Sequence, residues 1–142
     1  MMSDEDQQCL CIVDTDGLHA IATASGNLKT VLTDMLSTGE IGVPAIALKE
    51  FRKLFEDEAT ELEPFISKKI AMKKAFYVGA ARIAERLNSG FSRGAHDENV
   101  ELYVGAIAVT SGCTIVTSAS QAAIYSNMGC EASELSSWVA LQ

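Results

Sequence analysis

The chain has 142 residues, eleven of them basic and nineteen acidic, for a formal charge of -8. That length fits one domain able to bury roughly two thirds of its unfolded surface, and that charge argues against indiscriminate nucleic-acid binding. The acidic start, Met1-Met2-Ser3-Asp4-Glu5-Asp6, is unlike a basic signal-peptide start, and no apolar run approaches the roughly 18 residues that span a bilayer, so a cytoplasmic protein with no membrane partner is expected.

Residues 1–8 read as an acidic tail and residues 9–142 as a single domain. The run Cys9 to Val13 has no polar break and is rich in strand formers, which predicts a strand buried on both faces, as in a parallel sheet. It stops on Asp14, at a strand's carboxyl end, where open α/β sheets gather their ligands. A helix cap by Asp14 or Asp16 is the equally simple alternative. Gly17 to Ala24 is helix-compatible, with His19 read as a surface or packing residue. Leu28, Val31, Leu32, Met35 and Leu36 then recur at the spacing of one helical face, and Gly39 suits the end of that helix.

Ile41-Gly42-Val43 predicts a second short strand, and Pro44 fits the first turn of a helix carrying Ala47, Leu48, Phe51, Leu54 and Phe55 on one side. From Pro64 a further helix is expected to run to about Leu87. Seven of the eleven cations lie between Lys68 and Arg93, against the single acid Glu85, so the middle of the chain is basic between acidic flanks. On a continuous helix Lys68, Arg82 and Arg86 would fall within about 40° of one another, a stripe suited either to RNA phosphates or simply to water. Another helix is expected from about Glu98 to Gly112, then a buried strand Thr114 to Thr117, a short helix Gln121 to Ser126, and a weak strand or helix through Trp138. The four cysteines, Cys9, Cys11, Cys113 and Cys130, lack CxxC or zinc spacing and read as reduced structural thiols.

Strands alternating with helices predict an α/β layered domain with a mostly parallel sheet, whose right-handed crossovers place all the strand carboxyl ends on one edge. Asp14 and Thr117 would stand there. Glu50 lies about 100° from the centre of its helix's apolar arc, at the margin of the buried face. Glu101 falls in the first turns of the late helix, with Asp97 four residues before it. Each of these acids could equally be solvated or complement a helix end. Brought together, they would repel one another unless a hard cation such as Mg²⁺ or Mn²⁺ neutralised them, and such an ion activates water for phosphodiester hydrolysis without a nucleophilic side chain.

Ile12-Val13-Asp14-Thr15-Asp16, the segment from Gly42 to Phe51 with Glu50, and the segment from Glu101 to Thr117 resemble, in order, the opening acid, the acid-bearing helix, and the acid, small-residue helix and strand-terminal threonine of the PIN-domain family, which includes the VapC-like ribonuclease toxins. The resemblance covers nearly the whole chain. It implies a three-layer α/β/α domain and a Mg²⁺- or Mn²⁺-dependent endoribonuclease with Asp14, Glu50 and Glu101 as catalytic metal ligands. Asp97 would be a further ligand, with Asp16 and Thr117 assisting. RNA would be the substrate. An antitoxin partner follows if the chain is the toxin of a toxin-antitoxin pair, and a homodimer through the Leu28 to Leu36 helix is a further expectation.

Two positions depart from the family pattern: the third acid is usually aspartate but is Glu101 here, and the fourth falls on Ala119. The departure at Ala119 favours an alternative, a catalytically impaired module that binds RNA or a protein partner. Asp14-Thr15-Asp16-Gly17 also resembles the DxDG opening of haloacid-dehalogenase-like phosphatases. Those enzymes need late aspartates to hold Mg²⁺, and no aspartate follows Asp97.

Overall fold

The structure is a computed structural model describing residues 9–87 and 100–142. The acidic tail and Asp97 lie outside the described residues. In chain order the elements are β1 (Cys11–Val13), α1 (Thr15–Thr23), α2 (Gly26–Thr38), β2 (Ile41–Pro44), α3 (Ala45–Leu54), α4 (Glu56–Leu62), a 3-10 turn (Glu63–Phe65), β3 (Lys69–Ile70), α5 (Lys74–Leu87), α6 (Val100–Ser111), β4 (Thr114–Thr117), α7 (Ala119–Asn127), β5 (Ala132–Glu134) and α8 (Leu135–Ala140). The five strands form one sheet in the order β3-β2-β1-β4-β5, with every pairing parallel.

β1 lies at the centre, with Ile12 opposite Gly42 on one side and Ile115 on the other. Alternation along the strands divides the core: Cys11, Val13 and Val116 pack with Leu18, Leu32, Leu36 and Phe51 on one face, and Ile12 and Ile115 pack with Ala80, Ile83, Val104 and Ile107 on the other. Both faces are therefore covered. This explains the unbroken apolar runs read from the sequence.

α6 is buried nearly all round, and its small residues let neighbouring chains approach. A Cβ on Gly105 would lie 3.3 Å from Cys130 Sγ, and one on Gly79 of α5 would lie 3.3 Å from Ala106 Cβ. α2 ends where expected, with Gly39 in the left-handed conformation at φ 82° and its N–H bonded to the Leu36 carbonyl. Pro44 is the last residue of β2 and sits one position before α3, not inside its first turn.

One expected element is replaced. The helix from Pro64 to Leu87 is instead a 3-10 turn, an extended segment with β3, and then α5 from Lys74. The lysines and isoleucine at 68–70 can enter a helix, but here they complete a sheet edge: Val43 N–H donates to the Lys68 carbonyl at 2.9 Å. Ser67 Oγ donates to the Leu36 carbonyl at 2.9 Å and Ile66 is buried, so tertiary pairing overrides a weak local preference. Leu54, expected on the apolar side of α3, is 60 % exposed.

Candidate functional site

The all-parallel sheet brings the end of β1 beside the end of β4, and the acids gather around that edge. Asp14 follows β1 directly and is 3 % exposed. Its Oδ1 accepts from Gly17 N–H at 2.8 Å, capping α1, and its Oδ2 accepts from the Tyr125 hydroxyl at 2.9 Å. The two readings of Asp14, helix cap and site residue, are thus compatible, because one oxygen does the capping and the other faces α7. Burial pushes its carboxyl above the ordinary value, and the charge of Asp16 adds to this. Thr117, the Gly17 N–H and the Tyr125 hydroxyl oppose the shift. Thr117 Oγ1 is near enough to favour the charged form, yet this wholly buried atom has no hydrogen-bond partner of proper geometry.

The other acids each have one neutral donor. Thr15 Oγ1 donates to Glu50, Ser118 Oγ donates to Asp16 at 3.3 Å, and Gln121 Nε2 donates to Glu101 at 3.3 Å. All four acids line a single cavity of about 250 Å³, together with Thr15, Leu54, Val100, Gln121 and Tyr125. The ion pairs among the described residues lie elsewhere, so no lysine or arginine there neutralises this group.

These donors suit a hard divalent cation in kind, since they are carboxylates with an orphaned hydroxyl beside them. As the side chains stand, no three His, Cys, Asp or Glu among the described residues are close enough together to hold an ion. Glu101 is exposed and Glu50 half-buried, and each is on a flexible side chain held by one neutral bond, whereas Asp14 is fixed at both oxygens. The donor set therefore suits such an ion in kind, with Asp14 fixed at both oxygens and the two glutamates having to move to join it.

The structure thus brings Asp14, Asp16, Glu50 and Glu101 to one cavity, whereas Thr117 is buried near Asp14 and is not among the residues lining it. Ala119, where a fourth acid was expected, is exposed at the start of α7. The basic stripe is not formed as expected. Lys68 precedes β3, away from α5, which carries Arg82 and Arg86. Arg86 is partly committed, because its Nη2 donates to the Met128 carbonyl at the end of α7. Arg86→Ala is expected to cost about 1 kcal/mol in urea unfolding through that lost bond.

Tyr125 is the residue that sequence reasoning missed. Its only signal is being the one aromatic of a small-residue helix, eight residues after Thr117. Burial pushes its phenol up, with the charge of Asp14 reinforcing the shift. Tyr125→Phe leaves a buried carboxylate one donor short, and a loss of about 1–3 kcal/mol is expected in urea unfolding at pH 7.

The central parallel sheet with helices on both faces is a three-layer α/β/α arrangement of the PIN-like type. Among solved structures, the fold is similar to that of FitAcB from Neisseria gonorrhoeae, with a TM-score of 0.57 and 14 % sequence identity over 86 % of this chain and 95 % of that one. No protein-family model matches the chain, and no curated protein matches it. No described helix is long and apolar enough to cross a membrane.

Proposed function

We propose that the chain is a divalent-metal-dependent ribonuclease acting at the Asp14, Glu50 and Glu101 cavity. The observation that carries this reading is the meeting of four carboxylates on one cavity with no basic partner among the described residues. Carboxylates gathered at the carboxyl edge of a parallel sheet without a basic partner are what a bound cation would neutralise.

Bound Mg²⁺ or Mn²⁺ would supply activation of water and stabilisation of charge developing on the phosphate. Asp14, Glu50 and Glu101 would hold it, with Asp16 assisting. The chain's own contribution is orientation. Gly17 and Tyr125 fix Asp14, Thr15 holds Glu50, and Gln121 holds Glu101. Leu54 and Val100 give the cavity an apolar wall against which a nucleotide could exclude water. Arg82 is an exposed cation that RNA phosphates could meet outside the cavity. A toxin role in the cytoplasm, an antitoxin partner and a homodimer extend the same reading, supported by the sequence resemblance and the shared fold.

A second reading is a PIN-like module that binds RNA or a protein without cutting. It is favoured by the Tyr125 hydroxyl occupying Asp14 Oδ2, and by Ala119. Calorimetric titration with Mn²⁺ and incubation with structured RNAs separate the two. Saturable Mn²⁺ binding with Mn²⁺-dependent cleavage supports the enzyme. No binding at millimolar Mn²⁺, together with intact RNA, sinks it in favour of the module.

A further inference from the structure

The opposite edge of the sheet carries chemistry that the acidic cavity does not use. Cys9 stands just before β1 and Cys113 immediately before β4, and these strands pair in parallel with Cys11 opposite Thr114, so the two cysteines meet at the strands' amino ends. Their sulfurs lie 3.8 Å apart, although 104 positions separate them in the chain. Gly42 of β2 makes room for this contact: a Cβ there would lie 3.2 Å from Cys9 Sγ.

The other two thiols are placed differently. Cys11 is wholly buried, and Cys130 donates to the Gly105 carbonyl at 3.6 Å. Cys113, by contrast, is partly exposed and gives a small solute access to the pair. The Cys9 thiol is lowered to about 7, chiefly by its hydrogen bond with Cys113, with burial opposing and the charge of Lys68 assisting. Cys113 is pushed up in return, because it retains the shared proton. A pair of this kind presents a nucleophilic thiolate near neutral pH.

We propose that Cys9 and Cys113 form a redox-active dithiol that hydrogen peroxide converts to an intrachain disulfide. The Cys9 thiolate attacks one peroxide oxygen; the O–O bond breaks, the departing hydroxide takes a proton to leave as water, and Cys9 becomes a sulfenic acid. The Cys113 sulfur then attacks the Cys9 sulfur, the S–O bond breaks, a second water leaves and the S–S bond forms. Peroxide gains two electrons and the two thiols lose two.

Closing the gap to a bond of about 2.05 Å requires an approach of about 1.8 Å. Both residues precede their strands, so the movement does not break the sheet ladder. The bond would tie β1 to β4 about 16 Å from Asp14, five strand-like residues away.

The reduced full chain treated with hydrogen peroxide is expected to lose about 2 Da in intact mass. After unfolding, two of its four cysteines should still accept iodoacetamide. Chymotryptic mapping, with cuts after Leu10 and Tyr125 separating the four thiols, should place the link between Cys9 and Cys113. The melting temperature should rise by about 5–10 °C and fall back with dithiothreitol. Cys113→Ser should instead leave a Cys9 sulfenic acid that dimedone traps.

A mass gain of about 16 Da without cross-linking, a disulfide-linked dimer, or a link mapped to Cys11 or Cys130 would overturn the proposal. The mapping is read on the unsubstituted chain, so its outcome does not depend on whether a serine variant folds. The result is also independent of whether the acidic cavity binds Mn²⁺.

Discussion

Asp14→Asn is expected to lower Mn²⁺-dependent RNA cleavage by at least about 100-fold, since even residues that only support a metal ligand cost 10–100-fold when changed. The same variant is expected to remain folded. Asparagine is as good a helix cap as aspartate and keeps an oxygen for Gly17 N–H, while its amide can donate to the Tyr125 hydroxyl oxygen. Near neutral pH it should be more stable than the natural chain.

The sign follows from burial. The carboxyl of Asp14 titrates above its ordinary value of 3.8 in the folded state. Its contribution to stability is fully present below that value and is lost as pH rises through the raised folded value. Above that pH the natural chain carries a disfavoured buried charge that asparagine lacks. The advantage of Asp14→Asn should therefore grow from pH 4 to pH 7 in thermal melts run with a chelator, which removes any stabilisation by bound metal. An activity loss with a stability gain would mark a residue kept for function. Equal stability at both pH values would contradict the burial argument, and retained cleavage would remove Asp14 from the proposed site.

Gly17→Ala tests how α1 is seated. On helix propensity alone, alanine within a helix would be favoured by about 1 kcal/mol. Here a Cβ would stand 2.5 Å from the Val116 carbonyl oxygen and 3.1 Å from Val13 Cβ. Neither neighbour is the free end of a flexible side chain, so α1 must lift from the sheet. A loss of about 3 kcal/mol is expected in urea unfolding, equivalent to roughly 10 °C in melting temperature. Because the same Cβ would lie 3.3 Å from Asp14 Oδ1, cleavage should fall with stability. A variant as stable as the natural chain would show that α1 can sit further from β4 without loss.

This glycine also shows what a motif alone leaves open. In sequence, Asp14-Thr15-Asp16-Gly17 resembles a phosphatase signature. In the structure, Gly17 is required by the close approach of α1 to the Val116 carbonyl, and Asp16 turns to Ser118. The helical stripe of Lys68, Arg82 and Arg86 failed for a related reason. Nothing local to residues 66–70 announces that β2 has an unpaired edge for Lys69 and Ile70 to fill.

What the sequence by itself determined is local and periodic. The apolar runs of β1 and β4, the 3.6-residue face of α2, the terminal Gly39 and the placement of Asp14 after a strand all follow from neighbours a few residues apart. From their alternation came the parallel α/β class and the edge on which Asp14, Glu50 and Glu101 were expected.

Only the tertiary structure decided how those acids are held. Tyr125 reaches Asp14 across 111 positions, Ser118 reaches Asp16 across 102, and Thr15 reaches Glu50 across 35. The same is true of Cys9 and Cys113, whose contact no spacing rule encodes. Side-chain periodicity specifies which face of an element is buried. Which polar atoms then meet depends on strand order and register, and those are fixed only when the two apolar faces of the sheet are covered together.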